Sequence, residues 1–245
     1  MVIPNRKLII IGASSGVGNA LARLYANAGC KVGITGRRSL LLDDLQNEYP
    51  DNVYTACFDV MGTDNIDHLE KLIQQLGGLD LLIYNAGFGA PSETLDAATD
   101  LQTIQTNVNG FAEMVRFGFN YFERQGYGQI AATSSIASQA GNPLAPAYSA
   151  SKAFMSTYME GLLMRARKIK KQGKFIAITD IQPGFIKTKM AKGPRIFWAA
   201  APEKAALQMF EAIEKKRFRV YVTRRWRLIA ILIQLLPGWL YRRMG

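Results

Sequence analysis

Apolar runs of five to seven residues alternate with longer mixed stretches along most of the chain. The runs predict seven strands at Lys7–Ile11, Lys31–Thr35, Val53–Cys57, Leu79–Tyr84, Gln129–Thr133, Phe175–Ile181 and Phe218–Val222. The stretches between them predict helices at Gly16–Ala28, Leu40–Glu48, Asp64–Gln75, Leu101–Arg124 and Ala147–Lys171. Such alternation is typical of a parallel sheet with helices on both faces. We therefore expect an α/β, doubly wound fold with its ligand site at the carboxyl ends of the strands.

Length and composition fit this fold. The chain has 245 residues, 49% of them hydrophobic and 20% charged, as expected for a globular protein that forms a single domain. We expect residues 1–223 to form the main domain and residues 224–245 to form a basic and apolar C-terminal segment. Cys30 and Cys57 have no CxxC spacing and are expected as buried free thiols in a reducing, cytoplasmic location. His68 is the only histidine, so no metal site is expected.

A glycine-rich loop follows the first strand. Its sequence is Gly12-Ala-Ser-Ser-Gly16-Val-Gly18. Glycines at these positions allow a tight turn and close approach of the backbone to a pyrophosphate, and the next helix offers free N–H groups at its N-terminus. The residues expected to contact a dinucleotide here are Gly12, Ser14, Ser15, Gly16, Val17 and Gly18.

The end of the second strand bears on the choice of dinucleotide. Folds that prefer NAD place an acid there to bind the ribose 2′-OH. This chain has Thr35-Gly36-Arg37-Arg38 instead. Arg37 can bind a 2′-phosphate, and the Ser14 hydroxyl can add a further hydrogen bond, so NADP(H) is the predicted cofactor. Arg38 is expected as a further cofactor contact. The alternative is that both arginines are solvated residues at the start of a helix.

Candidate catalytic residues lie in the second half of the chain. Tyr148 and Lys152 are four residues apart in YSASK, and Ser135 precedes the tyrosine by thirteen positions. Positions i and i+4 share a helix face. A phenol has an ordinary pKa of about 10, so a nearby ammonium is expected to bring the pKa of Tyr148 toward the working range. The alternative is a chance pair on an ordinary helix.

With these motifs the sequence resembles the short-chain dehydrogenase/reductase family, from Lys7 to about Thr223. The length of 245 residues suits the family's shorter type. GASSGVG is similar to its TGxxxGxG loop, Tyr84-Asn85-Ala86-Gly87 to its NNAG segment, YSASK to its YxxxK, and Asn107-Val-Asn-Gly110 to its N-x-x-G. In this chain Ile11 replaces the family's usual threonine, and Tyr84 replaces the first Asn of NNAG. The resemblance implies a Rossmann-type fold and nicotinamide-dependent oxidoreduction.

The resemblance also implies roles for individual residues. Ser135 would hold the substrate oxygen, Tyr148 would exchange its proton, and Lys152 would bind the nicotinamide ribose and lower the pKa of Tyr148. Asn107 would anchor a water in a proton relay. The resemblance further implies contacts with the adenine at Asp59 and Val60 and with the adenosine ribose region at Asn85, Ala86 and Gly87. Contacts on the nicotinamide side are implied at Pro183, Gly184, Ile186 and Thr188, in addition to Tyr148 and Lys152.

The net charge of +11 is unevenly distributed. No acid follows Glu214, and a second basic stretch runs from Arg165 to Lys174. Seven arginines follow Glu214, namely Arg217, Arg219, Arg224, Arg225, Arg227, Arg242 and Arg243. This asymmetry indicates an anionic partner, either a membrane surface or nucleic acid, against the alternative of a solvated face. No recognisable nucleic-acid motif is present, so no nucleic-acid partner is expected.

An apolar block, Leu228–Leu236, follows the last strand. It is too short to span a bilayer, which requires about 20 residues. Trp226, Trp239 and Tyr241 flank it. It could lie in the membrane interface as a peripheral contact at the inner surface, close the substrate cleft, or pack in an oligomer. We weigh membrane and packing roles equally. The loop after Pro183, with Met190, Ile196, Phe197 and Trp198, resembles the family's mobile substrate loop.

These features together predict an NADPH-dependent reductase of a ketone on a lipophilic or acyl-chain substrate, of the 3-oxoacyl or 3-ketosphinganine kind. An NADP-dependent steroid or sugar alcohol dehydrogenase is an alternative, because the same residues could work in the oxidative direction. A cofactor-sensing binding protein without catalysis is a third. The family resemblance implies a homo-oligomer, assembled through the helices at Leu101–Arg124 and Ala147–Lys171.

Overall fold

A computed structural model describes residues 5–187 and 197–237 of the protein. Within these ranges seven strands form one sheet in which every pairing is parallel. The strands are β1 Lys7–Ile11, β2 Lys31–Gly36, β3 Val53–Cys57, β4 Leu81–Tyr84, β5 Tyr127–Thr133, β6 Phe175–Pro183 and β7 Arg219–Val222. Their order is β3-β2-β1-β4-β5-β6-β7. The predicted doubly wound fold is confirmed.

Helices connect the strands. They are α1 Gly16–Asn27, α2 Ser39–Glu48, α3 Asn65–Leu76, α4 Ala97–Ile104, α5 Phe111–Gln125, α6 Pro146–Lys170, α7 Pro202–Glu214 and α8 Trp226–Leu235. A π-helical segment, Gln105–Gly110, joins α4 to α5, and a 3₁₀ turn, Ile136–Gln139, follows β5. No helix in the described part of the chain is both long and apolar enough to cross a membrane.

The core lies on both sides of the sheet because alternate strand residues face opposite ways. In β1, Leu8 and Ile10 join a cluster with side chains of α1 and α7, whereas Ile9 and Ile11 join a second cluster with side chains of α3, α5 and α6. These four apolar residues of β1 are fully buried. Buried on both faces, the strand has an unbroken apolar sequence, which is why it could be recognised.

Sequence reasoning placed all seven strands within two residues at each end and missed one helix. The helix α7 was not predicted, because three of its five buried positions are alanines and give little apolar signal. The predicted helix Leu101–Arg124 begins earlier, at Ala97, and its course is interrupted by the π-helical segment. Cys30 is buried as expected, but the expectation that Cys57 is buried is wrong, since it lies exposed at the end of β3.

The strand order creates a crevice between β1 and β4. The chain moves outward from β1 to β2 in one direction and from β4 to β5 in the other, so the loops after β1 and β4 separate at the carboxyl edge. The loop after β1 begins at Gly12, and the loop after β4 begins at Asn85. Ligands bind at such switch points in open α/β sheets.

Candidate active site

The glycine loop lies against the end of β4. Gly12 has a φ of +86°, and a Cβ added there would lie 2.6 Å from the backbone N and Cα of Ala86. The Asn85 amide donates a hydrogen bond to the Gly12 carbonyl at 3.0 Å. Only glycine combines this backbone conformation with so close an approach. The loop and the NAG segment are therefore in direct contact.

The N-terminus of α1 opens onto the same loop. Ser15 occupies the N-cap position, and its side chain makes no capping hydrogen bond. The first N–H groups of a helix have no partner within the helix, and the helix dipole favours an anion there. These donors and the glycine cradle fit the pyrophosphate of a dinucleotide.

Arg38 lies across the glycine loop. Its guanidinium donates hydrogen bonds of 2.7 Å to both the Ser14 and Ser15 hydroxyls. Arg37 points elsewhere, with Nη1 at 3.3 Å from Asp59 Oδ2 and a side chain that is 56% exposed. The sequence singled out Arg37 as the phosphate ligand, and the structure places Arg38 closer to the loop. The two guanidinium groups together put two positive charges beside the predicted ribose site.

Lys152 is the buried cation of the candidate site. It lies in α6 and donates a 3.0 Å hydrogen bond to the Thr133 carbonyl at the end of β5. Its Nζ also lies 3.4 Å from the Met155 sulfur. Burial lowers the pKa of Lys152 to about 8, while the charge of Asp180 acts in the opposite direction. The lysine can therefore exchange a proton in a physiological pH range.

Tyr148 lies one turn before Lys152. The lysine Nζ is 5.7 Å from the centre of the tyrosine ring. Burial raises the pKa of Tyr148, and the hydrogen bond with Ser135 lowers it. The expected lowering by Lys152 is not seen in this arrangement, because the ammonium is directed at the Thr133 carbonyl and not at the phenol. In this state the phenol is protonated at neutral pH and is suited to donate a proton.

Ser135 lies on the β5 side of the same group. It caps the 3₁₀ turn, where its hydroxyl accepts a 3.1 Å hydrogen bond from the Ala137 N–H. The hydroxyl also points toward the Pro183 carbonyl at 3.5 Å. The serine thus joins the end of β5 to the end of β6, where the nicotinamide contacts were predicted.

Asn107 forms another side of the candidate site. It lies in the π-helical segment and is fully buried. Its amide donates to the Phe88 carbonyl at 2.7 Å and to the Ser151 hydroxyl at 2.9 Å, and its oxygen accepts from the Phe88 N–H at 2.9 Å. Ser151 in turn donates to the Tyr148 carbonyl at 2.7 Å. Asn107 is thereby connected to the backbone of α6. Distortions of the π type often mark functional positions.

Two residues of the YNAG segment lie next to Asn107 and the π-helical segment. Tyr84 is buried and donates a 2.6 Å hydrogen bond to the Thr106 carbonyl, next to Asn107. The tyrosine that departs from the family pattern therefore anchors the π-helical segment. A Cβ on Gly87 would lie 3.3 Å from Lys152 Nζ and 3.5 Å from Asn107 Oδ1. The absence of a side chain at this position keeps space beside both groups.

The other predicted cofactor residues surround the crevice. Asp59 and Val60 follow β3, and Ala86 and Gly87 follow β4. Pro183 ends β6, with Gly184 and Ile186 directly after it, while Thr188 lies outside the described residues. The described members therefore lie at the carboxyl ends of three strands, β3, β4 and β6, as their assignment requires. The dinucleotide fits this arrangement through the cradle at Gly12 and the arginine pair.

Sequence reasoning missed a buried polar network behind Ser135. The Asp180 carboxylate accepts hydrogen bonds from Ser134 at 2.5 Å, Ser156 at 2.7 Å and Gln182 at 2.8 Å. Asp180 is fully buried. It stands inside the otherwise apolar strand FIAITDIQP, and an acid in such a run was a signal that this residue has a buried partner. The network ties β5, α6 and β6 together beneath the site.

A cluster of aromatic rings, the aromatic cap, lies beside the predicted nicotinamide contacts. It consists of Phe185, Phe197, Trp198 and Trp226. Trp226 is central, with ring centres 5.6 Å from Phe185, 5.1 Å from Phe197 and 6.1 Å from Trp198. A side chain on Gly184 would overlap the Trp226 indole. The cap borders the site with apolar surface.

Comparison with known proteins identifies the class. The sequence profile described as short chain dehydrogenase matches residues 6–196. The chain is therefore a member of the short-chain dehydrogenase family, an oxidoreductase with a nucleotide-binding Rossmann fold. The predicted resemblance is confirmed.

Several relatives and solved structures are similar along most of the chain. An uncharacterized oxidoreductase of Myxococcus xanthus is 34% identical over 76% of this chain and 74% of its own. An uncharacterized oxidoreductase of Mycobacterium tuberculosis is 29% identical over 99% and 98%. A short-chain dehydrogenase/reductase of Burkholderia phymatum, solved with NAD, has a TM-score of 0.81 at 20% identity, with 94% and 92% covered.

A further structural neighbour is the 3-ketoacyl-(acyl-carrier-protein) reductase of Brucella melitensis, solved with NADH. Its TM-score is 0.79 at 20% identity, with 91% of this chain and 99% of that protein covered. At this level of identity the similarity establishes a shared fold. Among the residues described here, no group of three or more His, Cys, Asp or Glu side chains could hold a metal ion.

Proposed function

We propose that the protein is an NADPH-dependent reductase that converts a ketone on a lipophilic or acyl-chain substrate to a secondary alcohol. The observation that carries the proposal is the group formed by Ser135, Tyr148 and Lys152 at the carboxyl edge of the sheet. Ser135 follows β5, and Tyr148 and Lys152 lie one turn apart in α6. Lys152 is buried, its Nζ lies 5.7 Å from the centre of the Tyr148 ring, and it donates a hydrogen bond to the Thr133 carbonyl at the end of β5.

The proton chemistry follows from the two perturbed pKa values. The Ser135 hydroxyl orients the substrate carbonyl oxygen, and Tyr148, whose raised pKa keeps it protonated, donates its proton to that oxygen. Bound nicotinamide supplies the hydride to the carbonyl carbon. Lys152, with a pKa of about 8, returns a proton toward the tyrosine. A protonated phenol suits reduction better than alcohol oxidation, which requires a base.

The preference for NADPH rests on charge. Arg37 and Arg38 stand beside the glycine loop, and Arg38 already binds the Ser14 and Ser15 hydroxyls. A 2′-phosphate can replace those weaker neutral acceptors with charge-assisted hydrogen bonds. No acid occupies the end of β2, where a carboxylate would repel the phosphate.

The substrate class rests on the apolar border of the site. The aromatic cap lies next to Gly184, and Phe185, Phe197 and Trp198 remain partly exposed. Such a border favours burial of an alkyl or acyl chain. The Brucella melitensis neighbour, a 3-ketoacyl-(acyl-carrier-protein) reductase, acts on a substrate of this chemical kind.

The test compares two substrates. Purified protein is given NADPH and either a long-chain 3-keto lipid in mixed micelles or a short, water-soluble 3-oxoacyl thioester. We expect oxidation of NADPH with both and a higher kcat/KM with the long-chain lipid. Equal or better use of the short substrate would show that the apolar border does not select the substrate.

A parallel measurement uses a long-chain secondary alcohol with NADP⁺ at the same pH. If oxidation of the alcohol exceeds reduction of the ketone under matched concentrations, the proposed direction is wrong. No turnover with any ketone or alcohol, together with retained NADPH binding, would instead support a cofactor-sensing protein.

A further inference from the structure

The helix α8 has two different faces. Trp226 and Ala230 are buried on the inner face, where Trp226 packs on Gly184. Leu228, Leu232 and Leu235 point outward, and the first and last of these are 69% and 76% exposed. Successive helix positions are offset by about 100°. Residues four and seven positions apart therefore share one stripe, and here the stripe facing solvent is aliphatic.

Other exposed apolar side chains lie on α8 and near its start. Ile231 adds a fourth exposed aliphatic side chain to α8, and Phe197 and Trp198 of the aromatic cap are 50% and 44% exposed. Trp226 contacts both of these rings. We call the outward face of α8 with Phe197 and Trp198 the apolar platform. Several exposed apolar side chains on one part of a domain indicate an interaction site.

Basic residues surround the start of α8. Arg224, Arg225 and Arg227 are exposed, and no acid occurs in the sequence after Glu214. Arg224 has one acidic neighbour, Glu211, at 3.5 Å. The Arg225 guanidinium lies 5.1 Å from the centre of the Trp198 ring, so a cation stands directly on the aromatic part of the platform.

We propose that the apolar platform docks onto an anionic lipid bilayer. The aliphatic stripe would enter the acyl region, the aromatic rings would lie at the headgroup level, and the arginines would contact anionic headgroups. A second copy of this chain fits less well, because a symmetric contact centred on the platform would bring two clusters of arginines together, with Glu211 beside Arg224 as their acidic neighbour. Nucleic acid offers no partner for the aliphatic stripe.

Docking would bring the candidate active site to the membrane. The inner side of α8 contacts the site at two places, through Trp226 on Gly184 and through a 2.7 Å hydrogen bond from Gln234 to Gln139. Gln139 ends the 3₁₀ turn capped by Ser135. Direct access of a lipid substrate from the bilayer rests on the proposed function, whereas docking itself does not.

Vesicle binding tests the docking without any substrate. The full chain is sedimented with phosphatidylcholine vesicles that contain or lack phosphatidylglycerol. We expect binding to the anionic vesicles, at least tenfold weaker binding to neutral ones, and weakening as NaCl is raised, because salt screens the arginine contacts. Equal binding to both vesicle types, or binding to neither, overturns the proposal.

Matched variants locate the surface. Leu228→Glu with Leu232→Glu should lower the affinity for anionic vesicles at least tenfold. Leu40→Glu with Leu101→Glu makes the same charge change at exposed leucines of α2 and α4 and should have little effect. If both double variants lose binding to the same extent, net charge and not the platform drives the interaction.

The arginines are tested in the same way. Arg224→Gln with Arg227→Gln should lower affinity about fivefold per arginine, whereas Arg167→Gln with Lys168→Gln, at the end of α6, should not. Sedimentation velocity without lipid completes the test. If the Leu228→Glu and Leu232→Glu double variant changes the oligomeric state of the protein, the platform is a contact between copies and the proposal is wrong.

Discussion

The glycine-loop region and the aromatic cap lie at the same carboxyl edge of the sheet but are built differently. In the first, the glycines and serines of one loop meet two arginines from the end of β2, and the contacts are polar and short, such as Arg38 on Ser14 at 2.7 Å. In the second, four rings come from three separate parts of the chain and meet around Trp226. The first region is formed by the backbone of one loop and a few polar and charged side chains, and the second is formed by the packing of aromatic rings.

This contrast separates two kinds of specificity. A dinucleotide is the same molecule in every reaction, so its site can rely on backbone groups and a few charges at constant spacing. Substrates differ, so their site is formed by side chains on loops and terminal helices that can vary. In this protein the candidate residues Ser135, Tyr148 and Lys152 lie between the two regions.

Loss of the Tyr148 hydroxyl should have the largest effect and should leave both regions intact. Tyr148→Phe removes the proton donor and should lower kcat by about 10²- to 10⁴-fold. NADPH binding, followed by fluorescence titration, should change less than about twofold. Tyr158→Phe, which removes a hydroxyl further along the same helix, is the control and should retain activity. Retained turnover in Tyr148→Phe would disprove the assignment of the proton donor.

Changes at the arginine pair act on the glycine-loop region alone. Charge-assisted hydrogen bonds contribute about 1.5–3 kcal/mol each. Arg37→Asp and Arg38→Ala should each lower the ratio of kcat/KM for NADPH to that for NADH by about 10- to 100-fold. Arg38→Ala should have the larger effect, because Arg38 lies on the loop.

Arg23→Ala is the matched control for the arginine pair. Arg23 lies in α1 and is paired with Glu48. An unchanged ratio in both arginine variants would mean that the 2′-phosphate is bound elsewhere or is not required.

A side chain at Gly184 should disturb the aromatic cap. Gly184→Ala places a methyl group against the Trp226 indole and should lower the free energy of unfolding by about 1–3 kcal/mol, measured by chemical denaturation. Gly161→Ala is a matched substitution, since that helical glycine has open space around its Cβ position. It should stabilise the protein by about 0.5–1 kcal/mol. Equal effects of both substitutions would argue against tight packing between α8 and the β6 loop.

The pH dependence of ketone reduction should report Lys152. Its pKa is lowered to about 8, so the ammonium form predominates below that pH and is lost as the pH rises through it. Tyr148, with a raised pKa, stays protonated over the same range. The logarithm of kcat/KM should be level below pH 8 and fall by about one unit for each pH unit above it.

Circular dichroism at each pH separates this titration from unfolding. A profile that stays level well above pH 8 while the protein remains folded would exclude Lys152 from the proton path.

The sequence by itself determined the fold class, the order of the motifs along the chain and the candidate residues Ser135, Tyr148 and Lys152. This was feasible because buried parallel strands have continuous apolar sequences. In addition, the glycines of a phosphate-binding loop and two residues that share a helix face occur at fixed spacings in the sequence. The helix α7 escaped recognition because its buried side chains are mostly alanine. The π-helical segment escaped because a change in hydrogen-bond register leaves no mark on the apolar pattern.

Only the tertiary structure decided which groups meet. It placed Arg38 and not Arg37 over the glycine loop, directed Lys152 toward the Thr133 carbonyl, and buried Asp180 against Ser134 and Ser156. It also divided the C-terminal apolar block into a buried face on Gly184 and an exposed face. Burial and contact join residues far apart in the chain. The pKa of a lysine and the surroundings of a tryptophan depend on those neighbours and not on local sequence.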